Sequence, residues 1–183
     1  MVMDIVERIL ISEDEIQNRV RELAAQISQD YQGKEILLLC ILKGGLMFLA
    51  DLAKHIDVPV SMDFIGISSY GSATQSSGVV RITKDLEESI EGKHVLVIED
   101  IIDSGLTLSY LINNLCIRKP ASLRICTLLD KQVNREVNIP VDYVGFTVPN
   151  EFLVGYGLDY SELYRNIPYI FVIKSSFYTN SEE

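Results

Sequence analysis

Hydrophobic positions along the chain fall into blocks whose period changes from one block to the next. Ile16, Val20, Leu23, Ala24 and Ile27 recur at helical spacing, which puts them on one face of a helix. Ser12 followed by Glu15 forms a capping box at its start, and Gly33 ends it. Residues 35–42 then run apolar almost without interruption, the pattern of a strand buried on both faces. Lys43-Gly44-Gly45 turns into a helix predicted from Leu46 to about His55. Residues 58–69 read as a second strand, with Pro59 suited to its start or to an edge. Residues 68–78, rich in Ser, Gly, Thr and Gln, predict a long mobile loop of the kind that serves as a lid, before a strand over 79–83.

From Gly92 the rhythm is strand (94–98), acidic turn, amphipathic helix (106–117) and strand (121–129), and strands over 141–147 and 169–173 complete the set. Strands alternating with helices predict one α/β domain over 1–183 with a mainly parallel central sheet. Residues 148–168 are expected to form a small cap beside it. In such a sheet ligands bind beyond the carboxyl ends of the strands, where strand order reverses. The loops after Leu42, Ile98, Leu129 and Thr147 are therefore the ones that matter.

Composition narrows the function. The 183 residues carry a net charge of −10, which argues against a general nucleic-acid binder, since that needs a basic face. The apolar runs are far shorter than the ~20 residues that span a bilayer. Asp4, Glu7 and Arg8 interrupt the N-terminal apolar residues, so no signal peptide is read there and a cytoplasmic protein is expected. Cys40, Cys116 and Cys126 lie in apolar stretches without metal spacing and read as buried structural thiols. With His55 and His94 standing apart, neither a zinc site nor a Cys–His nucleophile has support.

The most informative stretch is Val95-Leu96-Val97-Ile98-Glu99-Asp100-Ile101-Ile102-Asp103-Ser104-Gly105-Leu106-Thr107. An apolar strand runs directly into two adjacent carboxylates and then a third, before Ser-Gly-Leu-Thr opens a helix. Free amides at a helix N-terminus, helped by hydroxyls, dock a phosphate, and Gly105 lets the backbone come close. A capping role for Asp103 and solvation of Glu99 and Asp100 is the simpler reading. It does not explain paired acids at the end of a buried strand, which suit the hydroxyls of a ribose or a magnesium ion.

This stretch resembles the signature of the purine phosphoribosyltransferases, in their hypoxanthine-guanine branch. The resemblance extends in consistent order from about Ser12 to Ile173. It implies the type I phosphoribosyltransferase fold, with a small hood over the C-terminal strand ends contributed by the N-terminal region and about 148–183. It also implies a purine salvage enzyme that transfers the 5-phosphoribosyl group of 5-phosphoribosyl-1-pyrophosphate to N9 of hypoxanthine, and of guanine, giving IMP or GMP and pyrophosphate. By that resemblance Glu99 and Asp100 hold the ribose hydroxyls, Asp103 faces N7 of the base as the catalytic residue, and Asp103, Ser104, Gly105, Leu106 and Thr107 cradle the 5′-phosphate. Lys43, Gly44 and Gly45, with Arg165, bind pyrophosphate, and a cis peptide precedes the lysine in that family's loop. Lys131 donates to the O6 of a 6-oxopurine, Phe152 stacks on the ring and the Leu153 backbone meets the base edge. Ser69 and Tyr70 begin the lid, Mg2+ is the cofactor with Glu99, Asp100 and Asp159 as its ligands, and Arg135 assists with phosphate charge.

Leu106 and Glu151 depart from residues found in some members, a lysine and a basic residue respectively, which leaves base preference open. The implied partners are the small-molecule substrates, with no nucleic acid and no membrane, and the implied assembly is a homodimer or homotetramer. Two alternatives remain at this point. One is a regulator of the same fold that binds RNA or DNA, for which the acidic charge is unfavourable. The other is a transferase for xanthine or a pyrimidine.

Overall fold

The computed structural model describes residues 4–69 and 80–178. Helix α1 (Glu13–Asp30) opens on the expected capping box: the Glu15 amide donates to Ser12 Oγ, and the Ser12 amide donates to the Glu15 carboxylate at 2.8 Å. Its buried face is Ile16, Val20, Leu23, Ala24 and Ile27. Strand β2 (Ile36–Leu42) explains its unbroken apolar run by burying both faces. Ile36, Leu38 and Cys40 join one core cluster, and Leu37, Leu39 and Ile41 the other. Strand β5 (His94–Ile102) beside it divides in the same way, Leu96 and Ile98 to one side and Val95 and Val97 to the other.

With β3 (Val60–Ser69), β4 (Val80–Lys84), β6 (Ser122–Asp130) and β7 (Tyr143–Thr147), these strands form a six-stranded sheet of order β4-β3-β2-β5-β6-β7. It is parallel except for β4, which pairs antiparallel with β3. Helices α1 and α2 (Leu46–His55) pack on one face, and α3 (Leu106–Ile117) on the other. The chain builds outward from β2 through β3 to β4, then returns to β5 on the other side of β2. The switch point, where such sheets open a ligand crevice, therefore lies between β2 and β5. This is the expected α/β class.

A second sheet matches the hood expected from the N-terminal region and about 148–183. The strand expected over 169–173 does not join the parallel sheet; β9 (Ile170–Ile173) pairs antiparallel with β1 (Val6–Ile11) and with β8 (Leu153–Val154), in the order β1-β9-β8. Ile170 and Val172 face the main core, while Phe171 and Ile173 fill a smaller cluster with Ile5 and Val154. A strand apolar on both faces has the same sequence signature in either sheet. Strand β1 was not expected from its sequence, because Glu7 and Arg8 and two register shifts break its alternation.

One thiol also departs from expectation. Cys40 and Cys126 are buried, but Cys116 is exposed, because α3 turns Leu108, Leu111 and Leu115 inward and Cys116 falls just off that face.

Asp63 ties β3 to the chain beyond β4. It is 8% exposed, accepts from the amides of Phe64 at 2.7 Å and Glu87 at 2.9 Å, and faces Lys84 Nζ at 3.4 Å. Burial works against its charge, but those amides and Lys84 outweigh it and hold the carboxyl below its ordinary value. A depressed carboxyl pKa contributes stability that is present above the unfolded value and lost as pH falls through the folded one. Asp63→Asn is expected to cost about 1–3 kcal/mol at pH 7, a difference that shrinks below pH ~4. Urea unfolding at the two pH values tests this, and a pH-independent difference would contradict it.

Candidate active site

Strand β5 continues past its apolar run, so Glu99 and Asp100 are strand residues at its carboxyl end and not part of the turn. With Gly44, Asp103, Ser104, Gly105 and Thr107 they line a cavity of about 290 Å³ at the switch point. Burial of the Glu99 carboxyl and the adjacent Asp100 charge push Glu99 well above the ordinary carboxylate range. A buried carboxyl beside a second one is a place where a divalent cation with oxygen ligands would be favourable. Among the described residues no group of three His, Cys, Asp or Glu side chains is placed to hold a metal ion.

The turn after β5 is shaped by glycine. Gly105 is the N-cap of α3 at φ +84°, and the helix start has no side-chain cap bond. A Cβ there would meet the Val137 carbonyl at 3.0 Å. Asp103 is thus not a helix cap. Leu106, which does not line the cavity, brings only its amide toward the turn, 3.4 Å from Ser104 Oγ. Arg135, expected near phosphate, instead donates from Nε to the Asp103 carbonyl at 3.2 Å and pairs with Asp130. It supports the loop from behind.

A second cavity, of about 390 Å³, lies under the small sheet and is lined by Glu7, Asp103, Lys131, Asn134, Asn150, Glu151, Phe152, Val172 and Tyr178. Among the described residues Asp103 alone lines both cavities. Lys131 follows β6, and its side chain is only 11% exposed, with Nζ 3.6 Å from Asp103 Oδ2. It is no solvated surface lysine, and Asp103 is its ion-pair partner. Phe152 is partly exposed and meets the Tyr160 ring edge to face. Leu153 in β8 is buried in the main core and does not line the cavity with its side chain.

The Leu42–Lys43 peptide is cis. Gly45 N-caps α2, packed at the carboxyl ends of β2 and β5, and Gly44 reaches the first cavity. A Cβ on Gly44 would lie 1.6 Å from Asp100 Oδ2. Gly157, at φ +100°, seals the other side: its Cβ would lie 2.1 Å from the Gly44 carbonyl oxygen. The Gly157 carbonyl accepts from Arg165 Nη1 at 2.7 Å, so Arg165 is brought beside the Lys43 loop. Arg165 also pairs with Asp159 at 2.7 Å, while Lys43 pairs with Glu162 at 2.7 Å. The buried Arg165 Nε has no hydrogen-bond partner among the described residues, a donor that an anion here would satisfy.

Ser69 ends β3 and pairs with Val80, and Ile67 two residues earlier lines the first cavity. The feet of the expected lid therefore stand at its rim. Tyr70 and the rest of that loop lie outside the described residues. The sequence reading missed Glu162, Glu7 and Tyr178. Only the three-dimensional proximity of Glu162 to Lys43, and of the two chain ends to Phe152, reveals them. Replacing Gly157 with Ala, whose Cβ would meet the Gly44 backbone and not a rotatable side chain, is expected to force that turn and the Lys43 loop apart at a cost of about 1–3 kcal/mol. Unchanged stability in denaturant unfolding would show that the loops are not in contact in solution.

Residues 12–161 match the model of the phosphoribosyl transferase domain. The hypoxanthine-guanine phosphoribosyltransferase of Bacillus subtilis is 56% identical over 173 residues, 94% of this chain and 96% of that one. The hypoxanthine-guanine-xanthine phosphoribosyltransferase of Tritrichomonas foetus is 49% identical over 179 residues, 97% of each. A crystal structure of a hypoxanthine phosphoribosyltransferase from Staphylococcus aureus superposes with a TM-score of 0.94 at 50% identity, covering 97% of both chains. The chain belongs to the phosphoribosyltransferase family, in its hypoxanthine-guanine branch.

Proposed function

We propose that this chain makes purine nucleoside 5′-monophosphates from hypoxanthine or guanine and 5-phosphoribosyl-1-pyrophosphate, releasing pyrophosphate. The observation that carries the reading is Asp103 at the junction of two cavities. One has paired acids and a helix N-terminus suited to a phosphorylated ribose. The other has a largely enclosed lysine, with its side chain 11% exposed, and the Phe152 ring, suited to a planar 6-oxopurine.

In this mechanism Ser104, Gly105, Leu106 and Thr107 hold the 5′-phosphate, and Glu99 and Asp100 hold the ribose hydroxyls, so that C1′ moves between fixed partners. The C1′–N9 bond forms as the bond from C1′ to pyrophosphate oxygen breaks. The Asp103 carboxylate takes the N7 proton, leaving electron density at N9. Lys43, Arg165 and the amides of Gly44 and Gly45 stabilise the departing pyrophosphate. Magnesium, were it held by Glu99, Asp100 and Asp159, would supply positive charge against the developing anion. Ser69 and Tyr70 begin a lid that keeps water from C1′. The small sheet serves as a hood over the base, with the Leu153 backbone toward its edge, in a single domain spanning 1–183.

Lys131 selects the base by donating to O6. Adenine carries an amino group there, so two donors would face each other unpaired. Homodimeric or homotetrameric assembly and a cytoplasmic location belong to the same proposal. Exposed Met62, Tyr110 and Ile117 are apolar surface that a second copy would cover. Among the described residues no helix is long and apolar enough to cross a membrane.

A spectrophotometric assay with magnesium is expected to show turnover of hypoxanthine and guanine that chelation abolishes. Adenine should be used at least about 10⁴-fold less well. Asp103→Asn is expected to lower kcat by about 10²–10⁴ with little change in KM, and wild-type turnover from that variant would remove Asp103 from its role. Lys131→Met should raise the purine KM and leave that of phosphoribosyl pyrophosphate in place. No turnover with any base, together with nucleic-acid binding, would favour the regulator.

A further inference from the structure

Phe152, read as the ring that stacks on the purine, already carries a planar ring on one face. Tyr178 is stacked on Phe152 with centroids 5.4 Å apart and planes 20° from parallel. It also lines the same cavity as Asp103 and Lys131, so it lies on the side from which a base approaches. The segment that brings it there is tethered. The Lys174 amide donates to the Ile5 carbonyl at 3.0 Å, Tyr160 donates from its hydroxyl to the Phe177 carbonyl at 2.6 Å, and a 3-10 turn (Ser175–Phe177) closes with the Tyr178 amide on the Ser175 carbonyl at 3.1 Å.

We infer that Tyr178 is an internal competitor for the purine, an aromatic place-holder that must leave the Phe152 face before a base stacks there. This rests on the reading of the cavity as the base site. A base inserted between the two rings would need two stacking intervals where the structure has one. Tyr178 must therefore move whether the bound base finally lies on Phe152 alone or is sandwiched between the rings. The contact being broken is an aromatic pair of the same kind as the one being made, so its cost subtracts directly from purine affinity. The phosphoribose cavity does not include Tyr178, so binding of the other substrate is untouched.

Steady-state kinetics of Tyr178→Ala and Tyr178→Phe tests this. Removing the ring is expected to lower the KM for hypoxanthine and guanine about three- to tenfold, with the KM for phosphoribosyl pyrophosphate unchanged, while Tyr178→Phe, which keeps the ring, behaves as wild type. A purely structural role would move both KM values or the melting temperature. Should the Ala variant lose its melting transition, Tyr178→Leu, apolar but not planar, makes the same comparison. An unchanged or raised purine KM in the ring-less variant, or an equal fall in Tyr178→Phe, would overturn the assignment. Inactive wild-type protein would overturn it together with the base-site reading, whereas active wild type with those results overturns the Tyr178 inference alone.

Discussion

Three segments far apart in sequence are stacked through two glycines with no room for a side chain. Asp100 at the end of β5 abuts Gly44, and Gly157 abuts the Gly44 carbonyl on the opposite side. This contact holds the acidic pair, the Lys43 loop and the Arg165 turn against one another at the switch point between β2 and β5. Each segment is anchored elsewhere: β5 by its two-sided burial, α2 by Phe48, Leu49 and Leu52, and the 155–158 turn by Tyr156 and Leu158 in the main core. The rigid cores thus fix where the loops end, and the glycines fix how closely they meet. That combination gives chemistry-bearing groups the positional precision that catalysis requires.

Charge is arranged with equal economy. On a chain of net charge −10, the cations of the site are each held by an acid: Lys43 by Glu162, Arg165 by Asp159, and Lys131 by Asp103. Lys43 in turn lowers the Glu162 carboxyl below its ordinary value. An anionic substrate therefore exchanges one set of ion pairs for another, and association gains specificity from placement more than from net attraction. The uncompensated position is Glu99 beside Asp100, where burial and the neighbouring charge oppose ionisation. That is where added positive charge gains most.

Much of this was legible in the sequence, for reasons that differ by region. The β2 and β5 runs are apolar on both faces and bounded by glycine or acid, so their burial could be read directly. Helix α1 announced itself through Ser12 and Glu15. Strand β1 was hidden because Glu7 lines the second cavity and Arg8 is exposed, and pairing with β9 is a long-range event without local signal. Cys116 misled because an apolar sequence neighbourhood does not reveal which side of α3 faces the sheet. Glu162 and Tyr178 matter only through what they touch, Lys43 and Phe152, and neither contact follows from spacing along the chain.

In the proposed mechanism Asp103 joins two separate half-sites, one for phosphoribose and one for the base. A crystal structure with magnesium, 5-phosphoribosyl-1-pyrophosphate and an unreactive 9-deazapurine tests it most directly. The purine is expected in the cavity of Lys131 and Phe152 with N7 on the Asp103 carboxylate, and the ribose over Glu99 and Asp100. A purine bound away from Asp103, or a ribose phosphate outside the turn at Ser104 and Gly105, would contradict it.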